Sequence, residues 1–182
     1  MALLIGALFC VILFVGAAPI IHIFAGPGYD QAIPVLRLQA FALLGGSLTQ
    51  AWIYAIVAVR AERSLLVVNA IALASVVVLG AILIPTVHAI GASAAAVTGE
   101  TIMALAVATA LTRSRPQLRP SVGHLLRLVI ATGVGLLTAL LPIPAIVAAI
   151  IAGAATLGVA WAIGAVPPEI VGALRGSRSQ PR

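Results

Sequence analysis

Between Arg63 and Arg113 the chain reads SLLVVNAIALASVVVLGAILIPTVHAIGASAAAVTGETIMALAVATALT, residues 64–112, with one charged side chain, Glu100. A helix crosses the hydrocarbon core of a bilayer in about 20 residues at 1.5 Å rise. This stretch is therefore long enough for two crossings. Pro85 ends the first, over 64–84, and the second runs over 90–112.

Working outward, four more apolar runs of similar length appear. The first covers about 2–24 and is broken by Gly26, Pro27 and Gly28, with Asp30 in the turn. The second covers about 33–59, with Pro34 in the first turn, where a missing N–H is tolerated. Beyond Pro116 and Pro120 comes a run at about 122–141. Pro142 and Pro144 then make a short turn into the last run, about 145–166, which stops at Pro167 and Pro168. The expectation is an all-α, polytopic bundle of six transmembrane helices over 1–168, followed by a basic tail, 169–182. Lipid offers no partner to a bare backbone, so open sheet is excluded, and the runs lack the alternation of a barrel strand.

Composition agrees. The 182 residues are 63% hydrophobic and 8% charged, with a mean hydropathy of +1.24. Soluble domains have roughly 45–50% apolar and about 25% charged residues. A cytosolic enzyme, a disordered tail and a disulfide scaffold are excluded. The single Cys10 reads as a small buried hydrophobe.

The net charge of +6 would suggest nucleic acid in a soluble protein. Here topology explains it better. Arg60, Arg63, Arg113, Arg115, Arg119, Arg127, Arg175, Arg178 and Arg182 fall on one side of a six-span chain. The opposite loops, 25–32, 85–89 and 142–144, hold no Arg. Positive loops stay cytoplasmic, so both termini are expected in the cytoplasm and no nucleic acid is implied. Residues 1–25 lack the basic n-region of a signal peptide. The chain starts almost inside a helix, which suggests a reading frame that begins partway through a longer protein.

Three stretches resemble a known family. The first is Phe24-Ala25-Gly26-Pro27-Gly28-Tyr29-Asp30-Gln31-Ala32, followed by Val35-Leu36-Arg37-Leu38. The second is Asn69, then Ile84-Pro85, then Gly91-Ala92-Ser93-Ala94-Ala95. The third is Glu100, nine residues after Gly91. In order and spacing they resemble the C-terminal half of the polysaccharide flippases, of the multidrug/oligosaccharidyl-lipid/polysaccharide exporter superfamily. The resemblance covers most of residues 10–165. It departs at His88, where the family usually has glycine. It implies transport of a lipid-linked oligosaccharide across the bacterial inner membrane by two rocking lobes of twelve to fourteen helices. Six helices would be one part of that assembly, and a missing N-terminal lobe or a homo-oligomer would supply the rest.

Four residues are candidates for the substrate path. Glu100 is the only carboxylate well inside a span. An ionised acid at mid-membrane costs roughly 2.5 kcal/mol or more, so it faces a cavity or a partner helix. Gln39, Gly46 and Gln50 share one helix face, with Tyr54 near its inner end. That face meets protein, water or sugar hydroxyls, because amides in lipid are costly. Arg37 lies one turn inside the second span. It either snorkels to lipid phosphate or pairs with Asp30, or it meets the pyrophosphate of a lipid-linked sugar.

Other patterns read as architecture. His124, Arg127, Ala131, Gly135 and Thr138 share a face of the fifth span, the first two as headgroup anchors. Gly91, Ala95 and Gly99, and Ala149, Gly153, Thr156, Ala160 and Gly164, form small-residue packing seams. Trp52, Tyr54 and Trp161 read as interfacial belt residues. No phosphate-cradling loop, metal cluster, paired carboxylates or nucleophile–base arrangement is legible, so neither an enzyme nor a cofactor is expected. Two other readings stand beside transport. One is a structural or inactive fragment. The other is a membrane enzyme on a polyprenyl lipid, disfavoured because Asp30, Glu62 and Glu169 are far apart.

Overall fold

Pro19 decides the first turn of the architecture. Its ring cannot lie against the carbonyl of Val15 in a continuous helix, and Gly16 lets the chain bend there. The computed structural model, which describes residues 2–58, 62–114 and 122–165, accordingly breaks the first apolar run. Helix α1, Ala2–Val15, and helix α2, Ala17–Phe24, meet at 73°. The expectation of one continuous helix over 2–24 is corrected by this bend. At 14 residues α1 is about 21 Å long, short of the roughly 30 Å hydrocarbon core, and only the bent pair is long enough to cross.

Helix α3, Ala32–Ala58, follows a turn in which Gly26 and Gly28 take φ +86° and +111°. Helix α4, Glu62–Ser114, is too long for one crossing and is folded in two. Its backbone leaves the helical region at Val87 (φ −128°, ψ 17°) and His88 (φ 51°, ψ −127°). Gly91 then lies against the backbone of Leu83, and Gly99 against Val76. The two arms, 62–86 and 89–114, therefore run antiparallel. Pro85 does not stop the first arm as expected. The helix carries on to Thr86, so the expected loop 85–89 shrinks to the two residues at the tip.

Helix α5, Val122–Leu137, ends in a 3-10 turn, Thr138–Leu140. Helix α6 is Ala145–Ala162. It ends four residues before the expected limit at 166. Gly164 at φ +65° lets Ala165 N–H reach the Ala160 carbonyl at 2.7 Å and Gly164 N–H reach Trp161 at 3.1 Å. Those two bonds form a left-handed glycine cap that satisfies carbonyls at the helix end.

The helices form an all-α bundle, with no strand among the described residues. α1 is its centre. Gly6 meets Ser47 and Phe14 meets Phe41, so α1 and α3 are antiparallel. Leu8 and Ile12 meet Gly153 and Gly16 meets Ala149, so α1 and α6 are antiparallel too. Leu4 and Ala7 share a buried cluster with Leu128 and Ala131, while Val11 meets Gly135, so α5 runs parallel to α1. The α4 hairpin packs on α3, where Ile56, Val68, Val107 and Leu111 are buried together.

The surface is that of a membrane protein. Leu66, Leu73, Ile82 and Ile150 are each at least 60% exposed. Only 17% of the most apolar stretch of α4 is buried within the protein. In water such a surface would aggregate, whereas lipid solvates it. Lipid tails are as apolar as leucine, so no hydrophobic drive joins the helices and close backbone approach does instead. The expected seams are made this way, except at Gly164, which lies beyond the end of α6 in its cap. Gly91, Ala95 and Gly99 face the first arm of α4, and Ala149, Gly153, Thr156 and Ala160 face α1 and α5.

Candidate functional site in the α1–α3–α4 cleft

The face of α3 that carries Gln39, Gly46 and Gln50 does not turn wholly into the bundle. It forms one wall of a cavity of about 640 Å³ between α1, α3 and the second arm of α4. Gln39 and Gln50 stand about 16 Å apart along α3, three turns at 1.5 Å per residue. Ala2, Ile5, Phe9 and Leu13 line the α1 side, and Glu100 enters from α4. Ile5 and Phe9 are more than half exposed, so the cavity opens at the side of the bundle.

Glycine sets the depth of Glu100. A Cβ on Gly45 would stand 3.2 Å from Glu100 Cβ, and one on Gly46 would stand 3.6 Å from Glu100 Oε2. A Cβ at Gly45 would crowd Glu100, whereas one at Gly46 would only touch its carboxylate. Glu100 is half-buried and makes no hydrogen bond with the described residues. Ser47, beside it in the lining, directs its hydroxyl to its own helix, donating to Leu43 O at 2.7 Å and Leu44 O at 3.1 Å. The lining is thus mostly apolar, with two amides and one carboxylate whose polar ends are uncommitted.

Three of the four candidates, Glu100, Gln39 and Gln50, line this one cavity. Arg37 does not. It projects on another side of α3, where its guanidinium carbon lies 5.7 Å from the ring centroid of Phe14. The Arg37–Asp30 pairing entertained from sequence is not made. Asp30 Oδ1 is bonded to His22 Nε2 at 2.6 Å, across the α2–α3 turn. Both of those side chains are at least half exposed, so the pair adds little to stability.

One polar residue near the cavity, though not in its lining, was not singled out from the sequence. Thr49 is 4% exposed, and its hydroxyl has no hydrogen-bond partner among the described residues. Thr98, Thr101, Thr132 and Thr156, by contrast, each donate to a carbonyl of their own helix. Thr49 lies one turn beyond Gly45 on the side of α3 that meets α4. Nothing in its spacing distinguishes it from a packing threonine.

Arg63 and Arg113 line a second recess at the open end of the α4 hairpin, and Arg127 lies near Gly164 at the end of α6. These three described arginines share the end of the bundle opposite His88. The remaining arginines of the basic loops and tail, Arg60, Arg115, Arg119, Arg175, Arg178 and Arg182, lie outside the described residues, as does the 169–182 tail. Among the described residues, no three His, Cys, Asp or Glu side chains gather where a metal would bind. Comparison with protein-family models, with curated proteins and with solved structures gives no match.

Proposed function

We propose that this chain is one lobe of a flippase-type transporter that moves a lipid-linked oligosaccharide across the bacterial inner membrane, with both termini cytoplasmic. The observation that carries the reading is the cavity that gathers Gln39, Gln50 and Glu100 on one side of the bundle. Uncommitted amides and a carboxylate facing lipid would be costly, so this side is covered by water, more protein or a hydroxyl-rich ligand. Amides and carboxylates are also the groups that bond sugar hydroxyls. The positive φ of His88, at a position where the resembled family usually has glycine, is a second support.

The cavity has walls on α1, α3 and α4 and none opposite. Alternating access requires two bodies that close in turn on each face of the membrane. A second lobe, or a second copy of this chain, supplies the other wall in this reading. Transport of this kind needs no covalent catalysis, no cofactor and no metal.

The test is complementation in a strain lacking its O-antigen-type flippase. The chain is expressed alone, and then with the N-terminal half of a full-length transporter. Surface polysaccharide restored only with the added half is expected, and E100Q or the double change Q39A/Q50A should reduce it at equal protein level. Failure of every combination would leave the competing reading, a structural bundle without activity of its own. Restoration by the monomeric chain alone would refute the two-wall argument.

A further inference from the structure

Arg37 is an exposed cation with no carboxylate partner among the described residues, because His22 occupies Asp30. Its guanidinium is held by the face of Phe14, which in turn meets Phe41 edge-on at 5.5 Å between centroids. A weakly hydrated, planar cation stacked on an aromatic ring keeps its N–H groups free for an oxyanion, and phosphate suits its fork.

A groove begins at Phe41 and runs away from Arg37 along the bundle. Leu44 and Leu48 of α3 form one bank, Leu125 and Leu136 of α5 form the other, and Leu3 of α1 closes the far end. Both α3 and α5 pack on α1 and leave this channel between them. Its volume is about 260 Å³. A Cβ placed on Gly133, in the same lining, would meet nothing within 4 Å. The one hydroxyl there, on Thr132, is already bonded to Leu128 O at 2.8 Å, so the groove presents hydrocarbon alone.

Its volume, and the cation beside one end, bear on what fills it. From Arg37 to Leu48 is about 16 Å of helix, close to half of a roughly 30 Å hydrocarbon core. A helix of that length and about 10 Å across would occupy roughly 1,200 Å³, more than the groove holds. A single hydrocarbon chain fits, with its charged end at Arg37. Basic pockets between membrane helices are a recurring way to hold lipid headgroups.

We propose that this groove binds one anionic phospholipid of the leaflet at the Arg37 end, with its phosphate on Arg37 and one acyl chain between α3 and α5. The site is separate from the polar cavity and faces a different side of α3. It stands whether or not the chain transports anything.

The experiment is native mass spectrometry of the full chain released from detergent, titrated with dioleoylphosphatidylglycerol. One retained lipid per chain is expected. Dioleoylglycerol, which has the chains without the phosphate, should bind at least tenfold more weakly. Glycerol 3-phosphate, which has the phosphate without the chains, should show no retained adduct. R37Q removes the charge at an exposed position, and G133L fills the groove from its open side. Each should weaken retention of the phospholipid at least tenfold. Protection of the buried Cys10 from maleimide reports that each variant is folded. If G133L loses that protection, R37Q alone carries the test. Phospholipid retained equally by wild type and R37Q would overturn the proposal. So would wild-type chains that exclude phospholipid because they dimerise through this groove, with G133L monomeric.

Discussion

Gly45 of α3 lies directly against the backbone of Glu100 on α4. A Cβ at Gly45 would stand 3.3 Å from both the carbonyl carbon and the carbonyl oxygen of Glu100. This approach joins α4 to α3 and fixes how far Glu100 reaches into the cavity. Gly45→Val forces the helices apart, and overpacking of this kind costs about 1–3 kcal/mol. Gly133→Ala is the opposite case. Its Cβ enters open space, and alanine is worth up to about 1 kcal/mol over glycine inside a helix. Thermal unfolding in one detergent should therefore place G45V below wild type and G133A at or above it. A G45V melt at or above the wild-type value would show that the α3–α4 contact is looser than described.

His88 makes the α4 hairpin turn at φ 51°, ψ −127°. A side chain with a Cβ reaches this region only with strain, of order 1–3 kcal/mol. Glycine has no such penalty but gains freedom in the unfolded chain, worth about 0.4–1 kcal/mol against it. The balance predicts that His88→Gly stabilises the protein by about 1 kcal/mol. His88→Val, with a branched Cβ, should destabilise it by at least as much. The same melts read both variants, and equal midpoints for the two would remove the turn from this argument.

The bundle was legible because each crossing is a long apolar run and each break holds proline or glycine, apart from 59–63, which two arginines and a glutamate mark instead. What hydropathy could not show was the bend at Gly16. The apolar run continues unbroken through it, and only the clash between the Pro19 ring and the Val15 carbonyl marks it. The end of α6 differs from the hydropathy boundary for a similar reason. Hydrophobic residues continue past Ala162, but the cap at Gly164 closes the helix first. Glu100, Gln39 and Gln50 could be singled out by the cost of polarity in lipid. That they line one cavity depends on which arm of α4 packs beside α3, and local sequence does not encode that. Arg37 shares α3 with the glutamines, yet two residues separate it from Gln39 by about 200° around the helix. It belongs to a different face.

Thr49 offers a sharp test of local packing. A buried hydroxyl without a partner costs about 1–3 kcal/mol relative to a satisfied one. Valine has nearly the same shape and no polar atom. Thr49→Val should therefore raise the unfolding midpoint, with a gain of about 1 kcal/mol. Thr49→Ser keeps the hydroxyl, removes a methyl, and should lower it. A fall in stability for T49V would mean that the hydroxyl has a partner, such as a bound water.

Cysteine labelling decides the orientation, and the chain is suited to it. Cys10 is the single native cysteine and is 0% exposed, so it gives no background in the folded protein. Thr86 is exposed beside the tip of the α4 hairpin, at the opposite end from Arg63 and Arg113. Gln117 lies among the basic residues between α4 and α5, outside the described residues. The hairpin alone places Thr86 away from the end that carries Arg63 and Arg113. The excess of arginine at that end predicts that it faces the cytoplasm. In intact cells, a membrane-impermeant maleimide should label Thr86→Cys at once. Gln117→Cys should react only after the membrane is opened. Both variants should leave Cys10 unreactive until the protein is unfolded. Labelling of Gln117→Cys from outside, with Thr86→Cys protected, would invert the topology. It would also move the Arg37 groove to the cytoplasmic leaflet.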